Sequence, residues 1–442
     1  MNGVRLPFSA LAKPTGAACN LDCTYCFFLS KELLYDRDRQ WMSEAGLEVY
    51  LANLLDSLPD GPVDIAWQGG EPTLRGLDFF RQAVRLVEGL RRPGQKPFHV
   101  LQTNGTLLDD AWGGFLAEHH FLVGLSLDGP AELHDSYRVN KAGHGTHAQV
   151  IRGWEVLRRH GVETNILCAV HHANQPHPLR VYRYFRDELG ARFLQFIPIV
   201  ERVAARDLPL AEQGWRVEGG HRLLYQQRGD AVTSRSVTPR GWGDFLTAVF
   251  DEWVGKDVGE VFVQHFDVAL GNLFGQYSLC AHSPECGRAV AIEHNGDVYS
   301  CDHFVEPDYR LGDVSADSLQ KLVDSPRQRQ FGRSKRVTLP GQCVNCPVRW
   351  ACHGGCPKDR FASTADGEPG LNYLCAGYRR FFTHVQPVLI QMARLVSQGR
   401  PAADVMSDRP SAPHDRHPAS HGGRPLGVAD TSWRGTGIQQ NM

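Results

Sequence analysis

The sequence lacks a strong charge of either sign. Its 442 residues carry 47 Lys and Arg against 49 Asp and Glu, a formal net charge of −2. That balance projects no field to gather nucleic acid or an anionic membrane. A long apolar run is also missing: no uninterrupted stretch approaches the length of a membrane span. The chain does not open on a basic segment, an apolar run and a small-residue cleavage site, so no secretory leader is expected. No HExxH spacing links the 20 histidines, and His119-His120 and His171-His172 read as surface or core residues. No repeat of solenoid type is present. The remaining composition, 42% hydrophobic and 22% charged, is that of an ordinary globular protein long enough for two or three domains.

Cysteine is what stands out. Twelve cysteines in a chain expected in the reducing cytoplasm point to metal or catalysis rather than disulfides. Eleven fall within residues 19–26 and 280–375. The twelfth, Cys168, lies in Asn165-Ile-Leu-Cys-Ala-Val170, which reads as a buried strand with Cys168 a small core residue. Cys19, Cys23 and Cys26 stand at CxxxCxxC spacing with no near fourth. A four-iron cluster normally takes four thiolates, so three imply one open iron, and an open position marks a catalytic site. A zinc knuckle or buried structural thiols share this spacing.

Taken in order, residues 7–15 read as a first strand, followed by strands at 63–67, 98–102, 121–127, 162–170 and 192–197. Helical segments are expected at 43–56, 76–92, 146–160 and 178–189, with Ser43 as an N-cap. Such alternation predicts parallel βαβ units. Six units are too few for an eight-fold barrel, so an open, partial (β/α)6 barrel is expected. Gln68-Gly69-Gly70-Glu71-Pro72, Ser126 and Asp128 all fall where strands end, the face on which such barrels carry their sites. Paired glycines let a backbone approach a ligand closely, and Pro72 stiffens the exit. Arg138 offers a guanidinium fork that suits a carboxylate. Turn-capping groups or ion pairs are the plainer reading of Asp128 and Arg138.

Tyr25 before the last cysteine completes a CxxxCxΦC pattern, and with Gly69-Gly-Glu-Pro72 the chain resembles the radical S-adenosylmethionine (SAM) enzymes. The resemblance implies that the open iron chelates SAM. It places Gly69, Gly70, Glu71 and Pro72 along the SAM amino group, with Ser126, Asp128 and Arg138 toward its carboxylate and ribose. The later cysteines, Cys280-x5-Cys286-x14-Cys301 and Cys343-x2-Cys346-x5-Cys352-x3-Cys356, then Cys375, match the SPASM extension of peptide-modifying members. By that resemblance Cys280, Cys286, Cys301 and Cys356 bind one auxiliary [4Fe-4S] cluster. Cys343, Cys346, Cys352 and Cys375 bind a second, making three clusters in all. Two structural zinc sites are the alternative.

Phe27-Phe28 after the first cysteines, Gln68, and Ser300-Cys-Asp-His-Phe304 are similar to the anaerobic sulfatase-maturating enzymes, which oxidise a sulfatase cysteine or serine to formylglycine. The resemblance makes Asp302 the acceptor of the substrate proton after a 5′-deoxyadenosyl radical removes a Cβ hydrogen, with the auxiliary clusters taking the electron. A surface aspartate beside the Asn295-Gly-Asp297 turn is the structural alternative. Gln68 and Phe28 become candidate peptide contacts; the family can carry tyrosine at the Phe28 position. The implied partners are a sulfatase polypeptide and a small electron donor such as flavodoxin or ferredoxin, with no nucleic acid and no membrane. The expected organisation is a barrel over 1–235, the cluster domain with a preceding helix over 236–390, and a disordered tail over 391–442. A loop-rich insertion is expected within 201–245. Crosslinking or trimming of a ribosomal peptide, a metal-stabilised binding module, and a three-cluster electron carrier are the other readings.

Overall fold

The computed structural model describes residues 7–35, 41–215 and 222–407. Strands β1 (Ser9–Ala12), β2 (Gly61–Trp67), β3 (Gln95–Thr103), β4 (Leu122–Ser126), β5 (Glu163–Val170) and β6 (Phe193–Pro198) lie parallel and in sequence order. Helices α1 (Glu44–Ser57), α2 (Leu77–Leu90), α3 (Asp110–Glu118), α4 (His147–Arg159) and α5 (Pro178–Arg183) fall within their crossovers. The hydroxyl of Ser43 accepts the Gly46 N–H, the N-cap that the sequence predicts. Ile65, Trp67, Leu101, Val123, Leu125, Ile166 and Val170 are fully buried. A sheet covered on both faces selects such continuous apolar runs.

The sheet does not stop at six strands. After helix α6 (Pro239–Lys256), strand β7 (Phe262–Val263) joins β6, followed by helix α7 (Gln264–Leu273). On the opposite edge β8 (Ala289–Ile292) pairs parallel with β1, in the register Ala12↔Ile292. Strands β9 (Asp297–Tyr299) and β10 (Arg310–Asp313) continue antiparallel, giving one ten-stranded sheet. The sequence predicts a barrel followed by a cysteine-rich domain, and the two share this sheet: β1, before the first cysteines, is hydrogen-bonded to β8, which opens the hairpin leading to Cys301. The cause is the run Ala289-Val-Ala-Ile292, whose residues are at most 5% exposed and complete the core at the β1 edge.

Helix α8 (Pro326–Val337) and helix α9 (Cys375–Ser397) follow. The tail expected from residue 391 does not begin there. Leu389, Met392 and Leu395 keep the buried face of α9 going, and Val405 in the short turn Ala402–Met406 is fully buried. Residues 408–442 lie outside the described residues. In the expected insertion, Arg202–Val203 pairs with Ala231–Val232, and buried Arg235 donates to Glu201 (2.7 Å); 216–221 lie outside the described residues.

Candidate active site

The mouth of the barrel is built from the turns that follow the strands. After β1 the chain enters the loop of Cys19, Cys23 and Cys26; Cys23 is buried and the other two half-buried. The Cys19 sulfur accepts the Leu21 N–H (3.3 Å) and the Asn104 amide (3.8 Å). Asn104 also donates to Asn20 (2.9 Å), and Asn20 donates to Thr106 (2.8 Å). The turn after β3 is thus stitched to the cysteine loop. Burial pushes the Cys23 thiol up to about 12 and raises Cys19 further. Thiolates here therefore need a bound cation.

The Gly69–Pro72 turn meets the same loop. Gly70 N–H donates to Gly16 O (2.7 Å) and Glu71 N–H to Ala18 O (2.8 Å). A Cβ on Gly70 would stand 2.0 Å from Ala18 O. The glycines therefore allow a close approach of two protein backbones at this turn. Glu71 is fully buried. It accepts the Thr73 N–H, the Thr73 and Thr103 hydroxyls and the Asn104 N–H. Burial raises its pKa against the pull of these donors. Its carboxylate fixes the turns after β2 and β3 as one unit. Pro72 opens the short turn to Arg75. Gln68 Oε1 is buried and has no hydrogen-bond partner.

Asp128 is tied into the protein around it. It is fully buried and accepts from the Tyr25 hydroxyl (2.5 Å), Arg138 Nε (2.8 Å) and the Ala169 N–H (2.9 Å). Burial alone would raise its pKa; Arg138, supported by His171 and His134, outweighs this and lowers it. Asp128 thus joins the cysteine loop, Arg138 and β5. The terminal amino groups of Arg138 make no hydrogen bond among the described residues, and its side chain is 12% exposed. Half-buried Ser126 accepts from Gln102 (2.9 Å). His171, fully buried, has no hydrogen bond at either ring nitrogen. Burial lowers its pKa to about 4, so it is neutral at pH 7.

From the other half of the chain, Asp302 enters the mouth. It is 3% exposed, not a surface aspartate, and its Oδ1 forms an ion pair with Lys13 at the end of β1. Lys13 is itself 1% exposed and sits 3.4 Å from the centre of the Phe28 ring. Phe28 is buried beneath this ammonium at 4% exposure, packed with Ala17, Tyr299 and Val305 rather than open as the peptide contact the sequence suggests.

The later cysteines sort into two groups. Cys301 has Cys280, Cys356 and Cys286 as charge neighbours. Cys343 has Cys375 and Cys346, and Cys352 has Cys375 and Cys343. Cys280, Cys286, Cys301 and Cys356 line one cavity of about 980 Å³. Burial pushes Cys280, Cys352 and Cys356 up to about 12 and Cys343 to about 11. The buried ammonium of Lys335 donates to Cys280 O (2.6 Å) and Ala281 O (3.0 Å). No disulfide joins the cysteines. Among the described residues no three His, Cys, Asp or Glu converge as ligands of a single ion. An all-thiol donor set spread around a cavity suits a multi-iron core better than one tetrahedral zinc, whose sulfurs stand about 4 Å apart.

Residues 14–184 match the radical SAM superfamily model and residues 284–347 an iron–sulfur cluster-binding domain, SPASM. A serine-type anaerobic sulfatase-maturating enzyme of Bacteroides thetaiotaomicron is 42% identical over 90% of this chain and 94% of its own. The chain belongs to the anaerobic sulfatase-maturating enzymes. A cysteine-type member from Clostridium perfringens is 34% identical over 88% of this chain and 98% of its own. The solved structure of native anSMEcpe with bound AdoMet and Cp18Cys peptide superposes with a TM-score of 0.75 at 32% identity, covering 88% of this chain and all of that one. Streptococcus suis SuiB bound to S-adenosylmethionine, 17% identical, shares the fold (TM-score 0.55) over 84% of this chain and 77% of its own. This sulfatase-maturating enzyme is therefore a radical SAM oxidoreductase with a SPASM domain. No helix among the described residues is long and apolar enough to cross a membrane. Lys13, Asn104 and His171 join the site without a sequence signal of their own; only their positions after strands hinted at them.

Proposed function

We propose that this enzyme oxidises Cβ of a serine or cysteine in a sulfatase polypeptide to formylglycine, with Asp302 as proton acceptor. The observation that carries the reading is the pairing of Asp302 with Lys13, which sets a carboxylate beside Cys301 at the mouth where the first cysteines lie. Cys19, Cys23 and Cys26 would hold a SAM-binding [4Fe-4S] cluster. Cys280, Cys286, Cys301 and Cys356 would hold a second, and Cys343, Cys346, Cys352 and Cys375 a third. When bound, these groups and SAM supply the one-electron chemistry that removes a Cβ hydrogen atom and accepts the remaining electron.

The chain's own residues do the rest. The Gly69–Pro72 backbone and the free amino groups of Arg138 orient SAM, with Ser126 beside them. Glu71 and Asp128 act one step back, holding those turns in place. Gln68 Oε1 offers the peptide an acceptor. Asp302 uses Oδ2, the oxygen Lys13 does not engage, to take the substrate proton. Lys13 keeps the carboxylate oriented, and Phe28 supports Lys13 from below. The external donor is a small electron carrier such as flavodoxin or ferredoxin.

The test is anaerobic incubation with SAM, reductant and Cys- and Ser-x-Pro-x-Arg peptides, read by peptide mass and by trapping of the aldehyde. Aldehyde in one or both peptides supports the reading. SAM cleavage with neither peptide altered overturns the assignment of substrate.

A further inference from the structure

Helix α8 carries five cations, Arg327, Arg329, Arg333, Lys335 and Arg336, and no acidic residue. Three have partners. Lys335 points inward to the carbonyls of Cys280, Ala281 and Ser283. Arg336 pairs with Glu285 (2.8 Å), and Arg327 donates to Asp308 O. Arg329 and Arg333 are exposed and make no ion pair or hydrogen bond among the described residues. Four residues apart, they share one face, and Val337, 70% exposed, extends it by a turn. With Gln330 and Thr338 they border a shallow cavity of about 530 Å³.

The inner face of the same helix lies on the Cys280–Cys356 cavity. Phe331 lines that cavity. Cys286 N–H donates to Gly332 O (3.3 Å), and a Cβ on Gly332 would stand 2.3 Å from Cys286 O. Arg329 and Arg333 stand three residues before and one residue after Gly332, so their exposed face adjoins the side of the helix that meets the Cys286 loop. Unpaired cations around an exposed apolar residue suit a weak, electrostatically steered encounter, the interface type of redox pairs. Near-neutral net charge and the absence of an aromatic on this face argue against nucleic acid.

We propose that the Arg329–Arg333–Val337 face docks a small acidic electron-carrier protein that exchanges electrons with a cluster held by Cys280, Cys286, Cys301 and Cys356. The proposal rests on the cluster reading given under the proposed function. Each peptide oxidation leaves one electron after loss of a hydrogen atom and a proton. A cluster held by Cys280, Cys286, Cys301 and Cys356 would take up that electron, and an oxidised carrier docked on this face would accept it, one electron for each peptide oxidised.

The test uses the reconstituted holoenzyme and an acidic [2Fe-2S] ferredoxin as probe. Stopped-flow reduction of oxidised ferredoxin by pre-reduced enzyme gives the second-order rate constant, and surface plasmon resonance gives affinity. At low salt, Arg329→Glu/Arg333→Glu should lower both by about tenfold or more, with Arg329→Gln/Arg333→Gln intermediate. The difference should close at high salt as charges are screened. Iron content, thermal midpoint and dithionite-driven peptide oxidation should stay unchanged, since dithionite needs no docking surface. Equal ferredoxin rates in the native and charge-reversed enzymes overturn the proposal, as does an RNA oligonucleotide bound in place of ferredoxin. Iron near zero in the native enzyme overturns the cluster reading itself, and that failure is told apart by the iron assay.

Discussion

Asp302→Asn removes a proton acceptor and a counter-ion in one step. Lys13, 1% exposed, keeps its 3.4 Å contact with the Phe28 ring but loses its carboxylate. Removing one member of a buried pair costs about 3–5 kcal/mol. At about 2–4 °C per kcal/mol for a unit of 150–250 residues, the thermal midpoint should fall by roughly 6–20 °C. The catalytic effect is separate, since loss of a general base costs about 10²–10⁴-fold. Deoxyadenosine and peptide aldehyde should be measured in the same anaerobic reaction, well below the variant's midpoint. Deoxyadenosine release should continue while aldehyde falls at least about 100-fold. The double variant Lys13→Met/Asp302→Asn removes both charges, so it should recover most of the lost midpoint and none of the aldehyde. If the double variant restores aldehyde along with stability, or the single variant keeps the native product ratio and rate, Asp302 is only a counter-ion.

Gly70→Ala places a methyl group 2.0 Å from Ala18 O and should weaken SAM binding and cost about 1–3 kcal/mol of stability. Gly114→Ala, with open space around it in α3, should be neutral or stabilising; SAM titration and thermal melts that show equal effects would contradict this. His99 and His134 are buried neutral, with pKa values lowered to about 3 by burial. The unfolded chain binds their protons near pH 6.5, so stability is full above that pH. It should fall toward pH 3 by up to about 1.4 kcal/mol per pH unit for each histidine. Urea midpoints at pH 7 and 5.5 check this, and a flat or rising trend would refute it. Cys343→Ala should remove about four irons of an expected twelve and slow peptide oxidation more than uncoupled SAM cleavage. Native iron content in this variant would take Cys343 out of the ligand set.

The six parallel strands were legible because strands buried on both faces carry continuous apolar runs, as in Leu122–Leu125. The cysteine spacings point to an all-thiol donor set from the sequence alone. The pairing of β1 with β8 was not legible, since it joins residues some 280 positions apart through a four-residue strand. With it went Lys13, an isolated lysine whose importance appears only when Asp302 arrives beside it. Asp128 and Glu71 show a second limit: a carboxylate at a strand end looks the same whether it faces a ligand or secures neighbouring turns. The end of α9 was misplaced because the Gly-, Pro- and His-rich stretch beyond it hides the buried spacing of Met392, Leu395 and Val405.

Transfer of deuterium from the substrate Cβ tests the central claim most directly. A Ser- or Cys-containing sulfatase peptide labelled with deuterium at Cβ would be incubated anaerobically with the reconstituted enzyme, SAM and reductant. The account predicts one deuterium in deoxyadenosine for each aldehyde formed. Deoxyadenosine without deuterium, or aldehyde formed without SAM cleavage, would contradict it.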